Sequence, residues 1–307
     1  MSLPLTTIRA SLEDGLLSFP ITDFDSEGKF NPGSYAERLE WFVTHNVSSI
    51  FVAGGTGEFF SLSENEYRQV VTVTAETVKE KIPMISSVGR SIPDAIAHAQ
   101  IAEKAGMNAL LLMPPYLTEC PQEGTYQYAK KIMDNTSLPV IYYNRANGVL
   151  SSEYIQKLAD SCENFIALKD GTGNIQELND TIKTLGNRLS FIGGVPTAEI
   201  IAEAYLSIGV NTYSSAVFNF VPELANVFYT SLRAGNKERV AAILKDFFIP
   251  FVRLRSKKNG YAVSLIKAGA QIIGRGAGDT RAPLIMPTRE EIAVLEQLIQ
   301  RSASLQD

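Results

Sequence analysis

The chain alternates eight times between a short apolar run and a segment with helical periodicity, and this repetition restricts its fold. Neighbouring parallel strands need a crossover connection, which is usually a helix, so the alternation predicts a parallel sheet. Apolar runs bounded by turn signals are typical of strands buried on both faces. The predicted strands are 16–20, 49–53, 83–88, 109–113, 139–143, 165–169, 189–193 and 210–214.

Eight strand–helix units are the number that closes a (β/α)8 TIM barrel, which commonly uses about 250 residues. An open doubly wound sheet is the alternative, but the glycine fingerprint that favours it is absent after the first strand. From about residue 236 the pattern indicates helices only, with a capping box at Thr288 and Glu291. We predict a catalytic barrel over residues 1–234 and a helical extension over 235–307 packed on it.

Charge and composition exclude several classes of function. The net charge is −5 without a basic run, which argues against a nucleic-acid partner. No apolar run approaches the roughly 20 residues that cross a bilayer, and the first residues lack a signal pattern. The two cysteines, Cys120 and Cys162, lie far apart, as expected in a reducing cytoplasm. We therefore expect a cytoplasmic protein that binds neither nucleic acid nor membrane.

The histidines also limit the chemistry. Both of them, His45 and His98, lie in helix-like stretches, so a histidine-based triad or metal site is not expected. The reactive groups must then be lysine, tyrosine, threonine, serine or carboxylates. We expect neither a metal nor an organic cofactor.

Polar residues occur where the predicted strands end, and in a barrel the carboxyl ends of all strands meet at one face. They are Gly54-Gly55-Thr56-Gly57-Glu58 after strand two, Tyr142-Tyr143-Asn144-Arg145 at strand five, Lys169-Asp170 at strand six, Gly193-Gly194 at strand seven, and Ser214-Ser215 at strand eight. The glycine turn could present bare backbone N–H groups to an anion, or it could simply be a tight turn. Tyr143 could equally pack its ring and expose its hydroxyl to water.

Lys169 is the candidate nucleophile, although a lysine leaving a strand can also be a surface residue. A neutral lysine amine attacks a ketone, and the iminium that forms withdraws electrons from the adjacent carbon. At a reference pKa of about 10.4, only about one lysine in 2,500 is neutral at pH 7. Burial near the barrel axis would lower that pKa. Asp170 should point to the opposite face, because adjacent strand residues alternate.

These motifs resemble the signature of the dihydrodipicolinate synthase / N-acetylneuraminate lyase superfamily, over the chain from about Leu16 onward. The resemblance implies a (β/α)8 barrel with C-terminal helices, usually tetrameric, that forms a lysine Schiff base with a 2-keto acid. It implies Lys169 as the Schiff-base lysine, Tyr143 as the proton-transferring tyrosine, and Gly55 and Thr56 as ligands of the carboxylate beside the keto group. We expect a homotetramer or a homodimer.

The chain departs from the synthase and lyase pattern at three places. Gly55 lacks the hydroxyl that many members carry there, Leu117 replaces a second tyrosine, and Gly148 lies near a missing arginine. These departures count against dihydrodipicolinate synthesis. Segments 54–62, 114–119, 143–145 and 260–264 are instead similar to a branch that removes water and carbon dioxide from a six-carbon keto-diacid. Such a substrate needs a second polar subsite, for which Arg145, Asn147 and Ser215 are the candidates. Gly193 is a further candidate for substrate binding. Arg145 could equally be solvated or structural.

Two other functions stay open on the sequence alone. One is a Schiff-base aldolase or synthase-like lyase on the same barrel, which would release pyruvate or condense it without losing carbon dioxide. The other is a barrel without catalysis that binds a keto acid. The presence of Lys169, Tyr143 and Thr56 argues against the second.

Overall fold

The computed structural model describes residues 3–306 and contains a closed barrel of eight parallel strands in the order β1 to β8, with β8 paired to β1. This confirms the predicted fold class. The strands are β1 Leu17–Ser18, β2 Ser49–Val52, β3 Met84–Val88, β4 Ala109–Leu112, β5 Val140–Asn144, β6 Phe165–Asp170, β7 Ser190–Gly193 and β8 Thr212–Ser215.

A helix precedes the first strand, and one follows every strand. Those up to the end of the barrel are α1 Leu5–Glu13, α2 Pro32–Thr44, α3 Glu64–Val78, α4 Ile92–Ala105, α5 Gln122–Met133, α6 Ser152–Ser161, α7 Ile175–Leu185, α8 Ala202–Ile208 and α9 Pro222–Arg233. Ser63 and Glu66 form a capping box at the start of α3. The sequence patterns did not predict α1 or α9.

Helix α1 closes the end of the barrel opposite to the strand carboxyl ends. It has no side-chain cap, but Ile8 and Leu12 join Leu17 in the apolar cluster inside the barrel. A second, larger cluster lies between the strands and the surrounding helices. Along a strand the side chains alternate between these two clusters, as at Ile141 inside and Tyr142 outside.

The chain after the barrel is helical in part. Its helices are α10 Lys237–Ile243, α11 Ile249–Arg255, α12 Tyr261–Ile272 and α13 Arg289–Ser304, and a π-helical segment, Leu244–Phe248, joins the first two. The capping box at Thr288 and Glu291 is present. Residues 275–288 are not helical, contrary to the prediction of helices only. Glycines and prolines in this segment oppose helix formation.

A buried network of charged residues connects this C-terminal part to the barrel. The carboxylate of Glu58, after the glycine turn of β2, lies 2.8 Å from Nζ of Lys267 in α12, and both side chains are fully buried. The other Glu58 oxygen accepts a hydrogen bond from the backbone of Arg281. The glycine turn is therefore held in a defined position relative to α12. Among the described residues, no helix is long and apolar enough to cross a membrane.

Candidate active site

A cavity of about 310 Å³ opens at the carboxyl ends of the strands. Five of the candidate residues line it: Gly55, Thr56, Tyr143, Arg145 and Lys169. The strand periodicity explains why Lys169 faces this cavity while Asp170 does not. Asp170 instead accepts hydrogen bonds from Thr172, Gly173 and Tyr205, so it orders the turn after β6.

Lys169 is buried beneath aromatic rings at the base of the cavity, with 3% of its surface exposed. Its Nζ atom lies 3.9 Å from the centre of the Tyr143 ring and 5.0 Å from that of Phe19. The same atom donates a hydrogen bond of 3.3 Å to the Gly194 carbonyl. Burial, opposed by Tyr143, lowers the pKa of the lysine below its usual value. A lowered pKa raises the fraction of neutral, nucleophilic amine at pH 7.

The Tyr143 hydroxyl is part of the same group of contacts. It donates to the Gly194 carbonyl at 2.8 Å and accepts a hydrogen bond of 2.9 Å from Nη1 of Arg145. Burial alone would raise the pKa of this phenol, but the charges of Lys169 and Arg145 outweigh burial and hold the pKa below its usual value. A phenol with a lowered pKa is suited to accept and return a proton.

The glycine turn after β2 presents two unpaired backbone donors. Neither the N–H of Gly55 nor that of Thr56 makes a hydrogen bond within residues 3–306. The turn is bounded by Ala53 and Glu58, whose φ angles of 50° and 56° are left-handed. A side chain at Gly54 would overlap the Phe19 ring, since a Cβ atom at that position would lie 2.6 Å from the ring. Gly55 and Thr56 therefore bring two donors without partners to the cavity lining, on a loop whose shape depends on glycine.

Three candidates from the sequence do not line the cavity. Ser215 and Gly193 lie one residue from the positions that do, and the alternation of the strand turns both to the outer face. Ser215 there donates a hydrogen bond to Glu199, and Gly193 packs against Tyr205. Asn147 lies in the turn Ala146–Gly148, of which only Ala146 reaches the cavity. The structure thus does not bring these three residues to the cavity wall, and their role in substrate binding stays a prediction.

Other residues line the cavity that the sequence analysis did not assign to the substrate pocket. Ser214 and Gly194 are the neighbours of the two misplaced candidates, so correct strand register would have found them. Ala262 and Val263 of α12 belong to the segment 260–264 that resembles the keto-diacid branch. Arg255, at the end of α11, carried no signal in the sequence. Leu117 is 77% exposed and lies outside the cavity.

The fold and this site define a class of protein: a (β/α)8 barrel with a buried lysine and a tyrosine at its mouth, suited to Schiff-base chemistry. The family model described as "Dihydrodipicolinate synthetase family" matches residues 13–302. The chain belongs to this family.

Two relatives and one solved structure are similar to this chain over nearly its whole length. A protein of Rhizobium meliloti (strain 1021) named "Probable 5-dehydro-4-deoxyglucarate dehydratase" is 48% identical over 96% of this chain and 98% of its own length. The protein "5-dehydro-4-deoxyglucarate dehydratase" of Pseudomonas putida is 42% identical over 96% of this chain and 97% of its own length. The crystal structure of dihydrodipicolinate synthase from Bacillus clausii has a TM-score of 0.89 at 26% identity, covering 96% of this chain and 99% of that one.

Proposed function

We propose that this protein converts 5-dehydro-4-deoxyglucarate to 2,5-dioxopentanoate, water and carbon dioxide through a Schiff base on Lys169. The observation that carries the proposal is a buried lysine amine in contact with Tyr143, inside a cavity that basic side chains line and to which the described residues contribute no aspartate or glutamate. Relatives over nearly the whole chain carry the name of this activity. The cavity chemistry suits a keto acid with two carboxylates.

In the proposed reaction, Nζ of Lys169 attacks the keto carbon, and water leaves to give an iminium. A proton then leaves the adjacent methylene, with Tyr143 as the base, and an enamine forms. The enamine expels the hydroxyl on the next carbon, which takes up the proton removed from the methylene and leaves as water. The extended iminium accepts the electron pair released when the distal carboxylate leaves as carbon dioxide. Protonation and hydrolysis free the product and the lysine.

The carboxylate beside the keto group must be held while Lys169 reacts. Gly55 and Thr56 supply two backbone N–H donors without other partners among residues 3–306, which supports their assignment to this carboxylate. Thr56 lines the same cavity, and we assign its hydroxyl as a further donor for the substrate. Gly55 has no side chain that could compete with the carboxylate for space. A Cβ atom built at this position would have no neighbour within 4 Å.

Borohydride trapping tests the central assignment. Hydride reduces the iminium to a stable secondary amine, so 5-dehydro-4-deoxyglucarate with borohydride should inactivate the enzyme and add mass to the peptide that contains Lys169. Lys169→Arg should abolish turnover and labelling, because a guanidinium is never neutral and cannot attack. Lys183→Arg, at an exposed lysine of α7, is the matched control and should behave as the wild type. Labelling of another lysine would disprove the assignment.

Product analysis separates this function from its rivals. Release of carbon dioxide and water without pyruvate supports the decarboxylating dehydratase. Pyruvate release would indicate an aldolase, and condensation of pyruvate with aspartate semialdehyde would indicate a synthase. Binding of the keto acid without any turnover would indicate a barrel that has lost catalysis.

We also propose that the protein acts in the cytoplasm as a homodimer or a homotetramer. The family resemblance supports the assembly, and the two separated cysteines, neither in a disulfide, are compatible with a reducing compartment. Light scattering on the purified protein tests the assembly, and a monomer at micromolar concentration would contradict it.

A further inference from the structure

Three basic side chains line the cavity, from Lys169, Arg145 and Arg255, and no acidic side chain of the described residues does. Lys169 and Arg145 come from the barrel strands or the residues that directly follow them. Arg255 comes from α11, outside the barrel, and reaches the cavity wall beside the loop that follows β7. The cavity therefore has two guanidinium groups in addition to the lysine that reacts.

The position of Arg255 is set by one edge of its guanidinium. Nη1 donates to the Pro196 carbonyl at 2.6 Å and to the Thr197 hydroxyl at 2.5 Å. Thr197 is itself buried and has a left-handed φ of 54°. Nε and Nη2 of Arg255 have no hydrogen-bond partner within residues 3–306. The side chain is thus held in place with two N–H-bearing atoms left for a ligand.

Within the described part of the chain, Arg145 and Arg255 make no ion pair. Burial lowers the pKa of Arg255, and the charge of Arg145 acts in the same direction, although Glu199 opposes them. Two partly buried cations that repel each other are unfavourable unless an anion lies between or beside them. A planar guanidinium matches a carboxylate in geometry as well as in charge.

We infer that Arg255, together with Arg145, binds the substrate carboxylate that is farthest from Lys169, and that this contact selects keto-diacids over keto-monoacids. The inference rests on the proposed function for the identity of the diacid. It replaces Asn147 and Ser215, which do not reach the cavity, as the distal subsite. The subsite is complete only when α11 is packed on the barrel.

Two six-carbon keto acids isolate this contact from turnover. 2-Oxoadipate ends in a second carboxylate, and 2-oxohexanoate ends in a methyl group, but both can form an iminium with Lys169. Neither carries a hydroxyl that can be eliminated. The measurement is the fraction of protein reduced by borohydride, read by intact mass over a range of probe concentrations. Charge-assisted hydrogen bonds correspond to a preference for the diacid of about 10- to 100-fold.

Arg255→Gln should strongly reduce this preference, because only the contact with Arg145 remains, and it should leave the 2-oxohexanoate curve unchanged. Arg253→Gln is the matched control, since Arg253 lies in the same helix but is exposed and does not line the cavity; it should retain the preference. With 5-dehydro-4-deoxyglucarate, Arg255→Gln should raise KM more than it lowers kcat, because the contact is made before the reaction as well as during it.

The outcomes distinguish binding from a structural role. If Arg255 only supports the loop at Pro196 and Thr197, its replacement should weaken both probes equally, and that result would overturn the inference. An undiminished preference in Arg255→Gln would also overturn it. If Arg255→Gln does not fold, Arg255→Lys provides the test, and this variant should keep the charge and part of the preference. Equally weakened labelling by both keto acids in Arg255→Lys would also overturn the inference. An Arg255-dependent preference without release of water and carbon dioxide would contradict the proposed function alone.

Discussion

The Nζ atom of Lys169 and the hydroxyl of Tyr143 donate to the same acceptor, the carbonyl of Gly194, at 3.3 Å and 2.8 Å. One backbone oxygen thus holds the proposed nucleophile and the proposed proton carrier beside each other. Because Gly194 follows β7, the geometry of the site depends on β5, β6 and β7 lying in register. Barrel strands provide this rigidity, and a site on rigid elements is more accurately ordered than one on loops.

Removing the Tyr143 hydroxyl should slow the reaction without preventing Schiff-base formation. Tyr143→Phe keeps the ring over Lys169. It loses the hydroxyl that accepts a hydrogen bond from Arg145 and donates one to the Gly194 carbonyl. We expect turnover to fall by about 10² to 10⁴, while borohydride still labels Lys169. Steady-state rates and intact mass check this. Tyr142→Phe is the control, since the Tyr142 hydroxyl bonds to Gly148 on the outer face and should leave the rate nearly unchanged.

Position 194 should tolerate no side chain. A Cβ atom at Gly194 would lie 2.5 Å from Nζ of Lys169 and 2.7 Å from the Asp170 carbonyl oxygen. We therefore expect Gly194→Ala to displace the lysine amine and to reduce borohydride labelling and turnover together. Gly124→Ala, where the nearest atoms are 3.5 Å away, is the control and should fold and react normally. Full activity in Gly194→Ala would contradict the close approach.

The barrel was predictable because its information is local and repeated. Each strand is an apolar run, and the helices show apolar residues at helical spacing. The eight strand–helix units therefore give eight weak signals that support one another. Helix α1 was missed because it has no side-chain cap and gains its stability by burying Ile8 and Leu12 in the barrel. The C-terminal part is less helical than its pattern predicts, because glycines and prolines interrupt the helices between α12 and α13.

The site was predictable only where a residue follows directly from its strand. Lys169 and Tyr143 lie inside strands, and their inward orientation follows from the alternation of side chains. Ser215 and Gly193 show the limit of that reasoning, since an error of one residue in register turns a side chain to the other face. Arg255 could not be predicted as a cavity residue, because its contact with the cavity arises from how α11 packs and not from any local sequence pattern.

The buried ion pair between Glu58 and Lys267 should be essential to stability. Lys267→Met leaves the Glu58 carboxylate without its cation in a fully buried position, and breaking such a pair costs about 3–5 kcal/mol. Urea denaturation measures the free energy of unfolding. Lys130→Met, in an exposed i,i+4 pair with Asp134, is the control and should cost about 0.5 kcal/mol or less. Equal losses in the two variants would show that the buried pair has no special role.

Glu199 should make stability depend on pH near neutrality. The side chain is 1% exposed, and Ser215 donates a hydrogen bond to its Oε1 atom. Burial raises the pKa of this carboxyl from 4.5 to about 7, so the folded protein holds a proton that the unfolded chain has lost between these values. The stabilisation is then fully present below about pH 4.5 and is lost as the pH rises through about 7.

Glu199→Gln tests this dependence, because glutamine keeps the shape and an acceptor for Ser215 but cannot ionise. We expect the free energy of unfolding of the wild type, relative to this variant, to decrease by about 2 to 3 kcal/mol between pH 5 and pH 8. Urea denaturation at several pH values in that range provides the measurement. Glu203→Gln, at an exposed glutamate of α8, is the control and should follow the wild type. Parallel curves for the wild type and Glu199→Gln would mean that the buried carboxyl titrates at its ordinary pKa.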